Sequence, residues 1–340
     1  MTSRQRIKEI FAGRAADRPG FWLGEPHRDT WPILLEATGL PDQESLRQKL
    51  GDDVRWISPQ WDSYKHPQGK PMFDPRRKSR NLSAEGAFGD CEDPREVDRF
   101  DWPDPDYLDF CATIEKLSSA GDVYRLSGFW CDFFHLTADF FGMENYFLKM
   151  FTHPEVVKAV TGHIVDFYLE ANRRFFAQAG DLVDGFFFGN DFGTQLDLLI
   201  SPRLFEEFVF PYFARLTRQG HAHGYQVVLH SCGSIYKVIP QLIDLGVDAL
   251  HPLQAKAANM DAATLARQFK GKVAFLGGID TQDLLVNGAP EEVRADVRRV
   301  KDLLGPCLVV SPSHECILPN VSAANVQAMA DEARRTQGSP

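Results

Sequence analysis

The chain has 340 residues, a formal net charge of −10, and the apolar and charged fractions of a globular protein. The negative charge argues against nonspecific nucleic-acid binding, and no apolar stretch approaches the roughly 20 residues of a membrane span. The first residues lack the apolar core of a signal peptide, so we expect a cytoplasmic location. Six cysteines are too few for a disulfide scaffold.

Short β-type runs alternate with helical segments along the chain. In chain order, the predicted strands cover residues 21–23, 54–57, 123–126, 183–188, 225–229, 247–250, 273–276 and 308–310. The predicted helices cover residues 134–150, a segment starting at 201, and residues 236–245, 261–269, 290–304 and 323–335. Each of the last six strands is therefore followed by a helix.

Repeated strand–helix units imply a parallel sheet, and eight in one chain fit a closed (β/α)8 TIM barrel of the α/β class. We expect one such domain over residues 1–340, with an N-terminal helical extension. An open doubly wound sheet is the alternative, but it normally carries a Gly-rich phosphate loop after its first strand, and none is present.

Residues 58–105 differ from the rest of the chain. They are rich in Pro, Asp, Arg and Lys and have little periodicity. We predict an irregular insertion, which is either a lid over the active site or a surface excursion without a role.

Polar residues follow five of the predicted strands. They are Asn190 and Asp191, His230 and Cys232, His251, Asp280, and finally His314, Glu315 and Cys316. A barrel places its active site at the carboxyl ends of its strands, so these side chains are expected to meet there. The alternative for Asp191 is a turn or a helix N-cap, and for Asp280 it is the N-cap of the next helix.

His230, Cys232 and Cys316 form the candidate metal site. Residues i and i+2 of an extended chain share a face, so His230 and Cys232 can point at one spot. Two thiolates and one imidazole leave one position open on a tetrahedral zinc, which is the pattern of a catalytic site. His-X-Cys alone is a weak motif, and the alternative is a hydrogen-bonded histidine beside a buried thiol. His314 and Glu315 are alternative ligands or partners of the ligands.

Zinc suits thiol chemistry for a physical reason. A free thiol has a pKa of about 8.5 and is mostly protonated at neutral pH, whereas a zinc-bound thiol is deprotonated. Two cysteinate ligands donate charge to the metal and keep a bound thiolate reactive. The ligand set therefore favours alkyl transfer involving sulfur over hydrolysis.

Several segments resemble the uroporphyrinogen decarboxylase superfamily. They are Gly189-Asn190-Asp191-Phe192-Gly193-Thr194-Gln195, His230-Ser231-Cys232-Gly233-Ser234-Ile235, Leu245-Gly246-Val247-Asp248-Ala249-Leu250, Gly277-Gly278-Ile279-Asp280-Thr281-Gln282 and Ser311-Pro312-Ser313-His314. The resemblance covers residues 120–335 and extends more weakly to the N-terminal part. It implies a (β/α)8 barrel and one of two chemistries: decarboxylation of uroporphyrinogen without metal or cofactor, or zinc-dependent methyl transfer with a corrinoid protein.

Two departures bear on the choice of chemistry. The decarboxylase carries an N-terminal stretch with paired arginines that bind the acetate groups of its substrate. The matching region here, residues 19–28, has a single arginine, Arg28, and an added glutamate, Glu25. The corrinoid methyltransferases use a His-X-Cys pair and a distant cysteine as zinc ligands, and His230, Cys232 and Cys316 match that set in order. There the cysteine follows a Pro-Gly stretch, whereas here it follows Ser-Pro-Ser-His-Glu.

The first hypothesis is a zinc-dependent methyltransferase that moves a methyl group between a small molecule or thiol and a corrinoid (cobalamin) protein. Asp191 and Asp280 would position the substrate or move its proton. The remaining candidate substrate-binding residues are Trp22, His27, Trp56, Trp130, Asn190, His251, His314 and Glu315. The resemblance also makes a homodimer an expectation.

The second hypothesis is a metal-free decarboxylase of a small carboxylate or a porphyrin-like acid. It needs cationic anchors, for which Arg28, Arg125 and Lys256 are the candidates. A third possibility is a noncatalytic barrel that binds a tetrapyrrole or a corrinoid.

Overall fold

Eight strands form the centre of the computed structural model, which describes residues 1–336. They are β1 Gly20–Phe21, β2 Val54–Trp56, β3 Tyr124–Ser127, β4 Gly185–Gly189, β5 Gln226–His230, β6 Ala249–Leu253, β7 Ala274–Ile279 and β8 Leu308–Pro312. Each overlaps a predicted strand. Strands β4 and β7 are uniformly apolar, as expected when both faces of a parallel sheet are covered.

The strands pair in parallel in the order β1-β8-β7-β6-β5-β4-β3-β2. From β2 to β8 each strand therefore neighbours the next one in the chain, and β1 pairs with β8. The seam between β1 and β2 is bridged by Asp53, whose backbone N–H donates to the Phe21 carbonyl and whose carboxylate accepts from the Phe21 N–H. This is the predicted (β/α)8 barrel, and the open doubly wound alternative is excluded.

Helices surround the barrel. Within residues 1–336 they are α1 Ser3–Phe11, α2 Thr30–Thr38, α3 Gln43–Leu50, α4 Pro94–Val97, α5 Cys111–Ser119, α6 Phe133–Phe141, α7 Met143–Thr152, α8 Pro154–Ala179, α9 Pro202–Phe208, α10 Phe210–Ala222, α11 Ile239–Asp244, α12 Ala262–Phe269, α13 Leu284–Asn287, α14 Pro290–Leu304 and α15 Ala323–Arg334. No helix in this part of the chain is long and apolar enough to cross a membrane.

The predicted helix at 134–150 is two helices, α6 and α7. Gly142 separates them with a φ of +83°, a left-handed conformation that a helix interior does not allow. The helix predicted for 236–245 starts with a 3-10 turn, Tyr236–Val238, before α11. In both places the hydrophobic period continues through a local change of backbone geometry, which the period alone does not reveal.

Helix α1 is the predicted N-terminal extension and closes the amino end of the barrel. Its apolar face carries Ile7, Ile10 and Phe11, all buried, and the Phe11 ring meets the Tyr124 ring at 5.3 Å. These side chains continue the inner core of the barrel, which includes Phe187 at its centre. With this end blocked, the described residues leave the barrel open at the carboxyl ends of its strands.

The irregular segment lies mainly against helices. Between Trp56 and Pro94 the chain forms no helix or extended strand. Phe73 packs on Phe167 and Tyr168 of α8, and the Phe88 N–H donates to a carbonyl of α6. At the start of the segment, Gln60 accepts from the Trp130 N–H at the barrel mouth. The lid function predicted for this insertion stays a prediction.

We predict that Asp53→Asn destabilises the fold. Asp53 is fully buried and pairs with Arg6 and Arg18, so the amide would leave Arg18 without its counter-charge and Arg6 with Asp17 as its remaining partner. The expected loss in the free energy of unfolding is about 3 kcal/mol, measured by urea denaturation. The control is Asp122→Asn, which changes an exposed residue. A loss no greater than that of the control would show that the seam does not depend on this carboxylate.

Candidate metal centre

Strand register places the central histidine. His230 ends β5, where it lies beside Gly189 of β4 and His251 of β6. The ladder continues past the strand ends, because the Asn190 N–H donates to the His230 carbonyl and the Ser231 N–H donates to the His251 carbonyl. The residues after His230 therefore stay extended, and Cys232 returns to the face that His230 occupies.

Cys232 and Asp191 approach the same nitrogen of His230. The Cys232 Sγ lies 3.4 Å from His230 Nε2, and the Asp191 Oδ1 lies 3.3 Å from it. All three donor atoms lie within 4.8 Å of one another. Tetrahedral zinc, with bonds of about 2.0 Å to nitrogen and 2.3 Å to sulfur, separates its donor atoms by about 3.3 to 3.6 Å. The two separations from His230 Nε2 therefore match those of a tetrahedral zinc site.

The same contacts control protonation. Burial would lower the pKa of the His230 imidazole, but Asp191, Cys232 and Glu315 outweigh burial and raise that pKa well above 6.5. Burial would raise the pKa of the Asp191 carboxyl, but the His230 contact and the Cys232 N–H hold that pKa below its usual range. Burial keeps the pKa of the Cys232 thiol raised. The metal-free site therefore holds a carboxylate–imidazolium pair beside a neutral thiol.

A second group of donors faces the other nitrogen of His230. The His251 Nδ1 lies 3.0 Å from His230 Nδ1, and the Glu315 Oε2 lies 3.6 Å from it. These three donor atoms also lie within 4.8 Å of one another. Burial and the neighbouring His230 hold the pKa of His251 well below 6.5, so its imidazole is neutral.

The loop after β1 holds Glu315 in place. The Glu25 N–H donates to the Glu315 carbonyl, and the His27 N–H donates to the Ile317 carbonyl. Gly24 adopts a φ of +80°, and a Cβ at this position would come 2.3 Å from the Glu315 carbonyl oxygen. Glu25 is paired with Arg47. The glutamate that departs from the decarboxylase pattern therefore stabilises this loop.

Aromatic rings wall the cluster toward the barrel centre. The Trp130 ring lies 5.0 Å from the His230 ring, and the Trp22 ring lies 5.1 Å from the His251 ring. Trp56 packs on Trp130 at 5.0 Å, and Phe187 contacts all three indoles. The predicted substrate residues Trp22, Trp56, Trp130 and His251 thus share one wall, which lowers the local dielectric and strengthens charge interactions.

Cys316 does not join either donor group among the described residues. It lines a cleft of about 540 Å³ at the carboxyl end of the barrel, together with Gln254, Thr281, Gln282, Ser313, His314, Leu318 and Asn320. Its backbone N–H donates to the Nδ1 of His314. The structure therefore brings together two of the three predicted zinc ligands, and the third donor atom beside them belongs to Asp191.

Asp280, Asn190 and His27 have local structural partners. The Asp280 carboxylate accepts from the N–H groups of Gln282, Asp283 and Leu284, which is the capping alternative, and it lines a separate cleft with Lys256. The Asn190 amide bonds to the Phe134 N–H and the Cys131 carbonyl. The His27 Nδ1 accepts from the Asp29 N–H. The catalytic or binding roles of these residues stay predictions.

The predicted cationic anchors lie elsewhere. Arg125 pairs with Asp184 at the amino end of the barrel, beside Arg4 of α1. Arg28 is 88% exposed and neighbours Asp29. Lys256 lies against Asp280 and Asp283. The cluster around His230 is therefore acidic, and none of these three cations belongs to it.

Two residues of the site were missed by the sequence reasoning. Gln254 accepts from the Gly233 N–H and from the Gln195 amide, which fixes the loop after Cys232. It is a polar residue directly after β6, so the strand-end rule that identified His251 applies to it too. Phe187 lies within an apolar run, and nothing in that run indicates that this ring faces the barrel centre.

Comparison with known proteins agrees with this architecture. The family model described as "Uroporphyrinogen decarboxylase (URO-D)" matches residues 90–336, which is more than half of the chain. The chain belongs to the uroporphyrinogen decarboxylase family. This confirms the family expected from the motifs around His230.

Two relatives carry the name methyltransferase. The chain is 30% identical over 120 residues to a methylated-thiol–coenzyme M methyltransferase of Methanosarcina mazei, a match that covers 33% of this chain and 30% of that protein. A solved methyltransferase structure from the same organism superposes with a TM-score of 0.66 over 98% of both chains at 14% identity. The latter similarity confirms the fold.

We predict a pH window for the Asp191–His230 pair in chelator-treated protein. Because the pKa of Asp191 is lowered, the stability that the pair contributes decreases as the pH falls below 3.8. Because the pKa of His230 is raised, that stability also decreases as the pH rises above 6.5. Asp191→Asn should therefore lower the free energy of unfolding most between these two pH values. The expected loss is only about 1 kcal/mol, because Asp191 is partly exposed to solvent, which weakens the ion pair. The measurement is urea denaturation across the pH range.

The matched control is Asp197→Asn on the same loop. Asp197 pairs with a lysine, Lys237, instead of a histidine, so the effect of its substitution should stay constant from about pH 6.5 to 9. An Asp191→Asn effect that also stays constant over that range would show that His230 is not the charged partner.

Proposed function

We propose that the protein is a zinc-dependent methyltransferase that moves a methyl group between a small-molecule or thiol substrate and a corrinoid protein. The observation that carries the proposal is the convergence of Cys232, His230 and Asp191 at the open end of the barrel. A thiolate, an imidazole and a carboxylate form a donor set for zinc, and as three protein ligands they leave a fourth position for substrate.

Zinc bound at this site would deprotonate a substrate thiol and hold it as a thiolate. The side chains prepare the site for that chemistry. Asp191 accepts the Cys232 N–H, so one carboxylate orients both the histidine and the cysteine. The aromatic wall of Trp130, Trp56 and Trp22 excludes water from the buried side of His230.

The third protein ligand is a point on which the motif resemblance and the geometry differ. The resemblance names Cys316, whereas the Asp191 Oδ1 already lies 3.3 Å from His230 Nε2. We propose Asp191 as the ligand and assign Cys316 to the adjoining cleft. That cleft is lined by amides, hydroxyls and one imidazole rather than by Lys or Arg, so it suits an uncharged small substrate.

The relative named for a methylated thiol supports a thiol as the substrate, although the match covers only a third of this chain.

The corrinoid protein is proposed to dock over the open end of the barrel. Trp61, Leu196 and Leu318 are exposed there, on the loops that follow β2, β4 and β8. Exposed apolar side chains are characteristic of protein-binding surfaces. A cytoplasmic location would keep the thiol ligand reduced.

The decarboxylase alternative shares the family name but finds less support in the site. A substrate with several carboxylates needs cations, and the groups around His230 are Asp191, Glu315 and Cys232. Arg125, Arg28 and Lys256 have acidic neighbours elsewhere. An anionic substrate would therefore meet like charges at this position.

We predict that protein purified without chelators contains at least about one zinc per chain and that Cys232→Ser loses the thiolate-bound zinc. The variant should also lower methyl transfer from methylcobalamin to a small thiol on the order of 100-fold or more. Elemental analysis and the absorbance change of the corrinoid measure the two effects. Cys111→Ser, which changes an exposed thiol on α5, is the control and should match the wild type.

The third ligand is decided by the same assay. Asp191→Asn should lower zinc affinity by about 10- to 100-fold, whereas Cys316→Ser should leave zinc affinity close to that of the wild type. The reverse ranking would assign the ligand to Cys316. Protein that carries no zinc and takes none up would contradict the proposed function as a whole.

A further inference from the structure

The imidazole of His230 faces donor atoms on both of its nitrogens. Nε2 faces Cys232 and Asp191, the donors of the proposed zinc site. Nδ1 faces His251 and Glu315, which take no part in that site. The second set contains two imidazole nitrogens and one carboxylate oxygen within 4.8 Å of one another.

Hydrogen bonding does not satisfy this second set. The Glu315 Oε2 is shut off from solvent and has no hydrogen-bond donor among the described residues. The nearby Nδ1 of His314 lies 3.5 Å away, but it already accepts the Cys316 N–H and so offers no proton to Glu315. The nitrogens of His230 and His251, 3.0 Å apart, share one proton at most.

The charges of the cluster point the same way. A divalent cation at Nε2 would balance the Cys232 thiolate and the Asp191 carboxylate, which leaves Glu315 as an uncompensated, largely buried anion. Within residues 1–336 the ion pairs of Glu315 are with His230 and His314 only. A buried carboxylate without a counter-charge or a donor is costly, and a cation removes that cost.

We propose that His230 Nδ1, His251 Nδ1 and Glu315 Oε2 form a second cation site, distinct from the thiolate site. Separations of 3.0 and 3.6 Å lie on either side of the roughly 3.4 Å that donors of a tetrahedral metal show with bonds of about 2.1 Å. Two imidazoles and a carboxylate suit a first-row transition cation such as Zn2+, Fe2+, Co2+ or Ni2+ rather than Mg2+ or Ca2+. When both sites are filled, His230 bridges the two cations as an imidazolate, and its last ring proton is released to solvent.

Strand geometry supports a built site. His230 and His251 are register partners on adjacent parallel strands, so their side chains are fixed side by side. Glu315 reaches them from the loop after β8, and its backbone carbonyl accepts a hydrogen bond from the Glu25 N–H. The three ligands therefore come from three segments, each held by backbone hydrogen bonds, and none depends on Cys232.

The test uses chelator-treated protein and Co2+ alone, measured by equilibrium dialysis and absorption. Cys232→Ser removes the thiolate, so cobalt bound to this variant reports the second site. We expect about one Co2+ per chain without the near-ultraviolet thiolate-to-cobalt absorption. Adding Glu315→Gln should weaken binding by at least about 10- to 100-fold, because the substitution removes a ligand charge at constant size.

The control adds Glu115→Gln, on the exposed face of α5, to Cys232→Ser and should not change cobalt binding. The proposal is overturned if Cys232→Ser binds no Co2+, or if Glu315→Gln leaves its binding unchanged. If the double variant does not fold by circular dichroism, Cys232→Ser with His251→Asn is judged by the same criteria. The thiolate absorption of the wild type reports the proposed zinc site separately, so the two proposals fail independently.

Discussion

The parallel register of β4, β5 and β6 is the constraint on which the site depends. It sets Gly189, His230 and His251 side by side at the open end of the barrel. Gly189 has no side chain, and a Cβ there would come 2.1 Å from the Trp130 ring. The indole therefore occupies the space that this glycine leaves and packs on His230. A shift of β5 by one residue would turn His230 and Cys232 to the opposite face.

The arrangement explains how one family fold suits different chemistries. The barrel supplies rigid strand ends, and the residues that follow them decide what binds. Here those residues form an acidic and sulfur-containing cluster with histidine at its centre, backed by indole rings. Such a cluster attracts a cation and repels a polycarboxylate. The charge of the strand-end residues therefore supports the proposed methyl transfer over the decarboxylation of a polycarboxylate.

Much of this could be predicted from the sequence, because local patterns determine it. Apolar β-type runs, the last six of them followed by helices, predicted the eight strands, and the i, i+2 spacing placed His230 and Cys232 on one face. Asp191 and His251 were identified by their positions after strands. The sequence could not predict which of the neighbours Glu315 and Cys316 lies beside His230. That placement depends on the hydrogen bonds that the loop after β1 makes with the loop after β8. Asp280 was ambiguous from the start, and its contacts are those of a cap.

The most direct measurement of the metal centre is a crystal structure with anomalous diffraction at the zinc edge, from protein purified without chelators. We predict an anomalous peak within about 2.0 to 2.3 Å of both His230 Nε2 and Cys232 Sγ, with an oxygen of Asp191 in the coordination sphere. A map without a peak between these two atoms, in crystals soaked with zinc, would contradict the assignment of His230 and Cys232 as metal ligands.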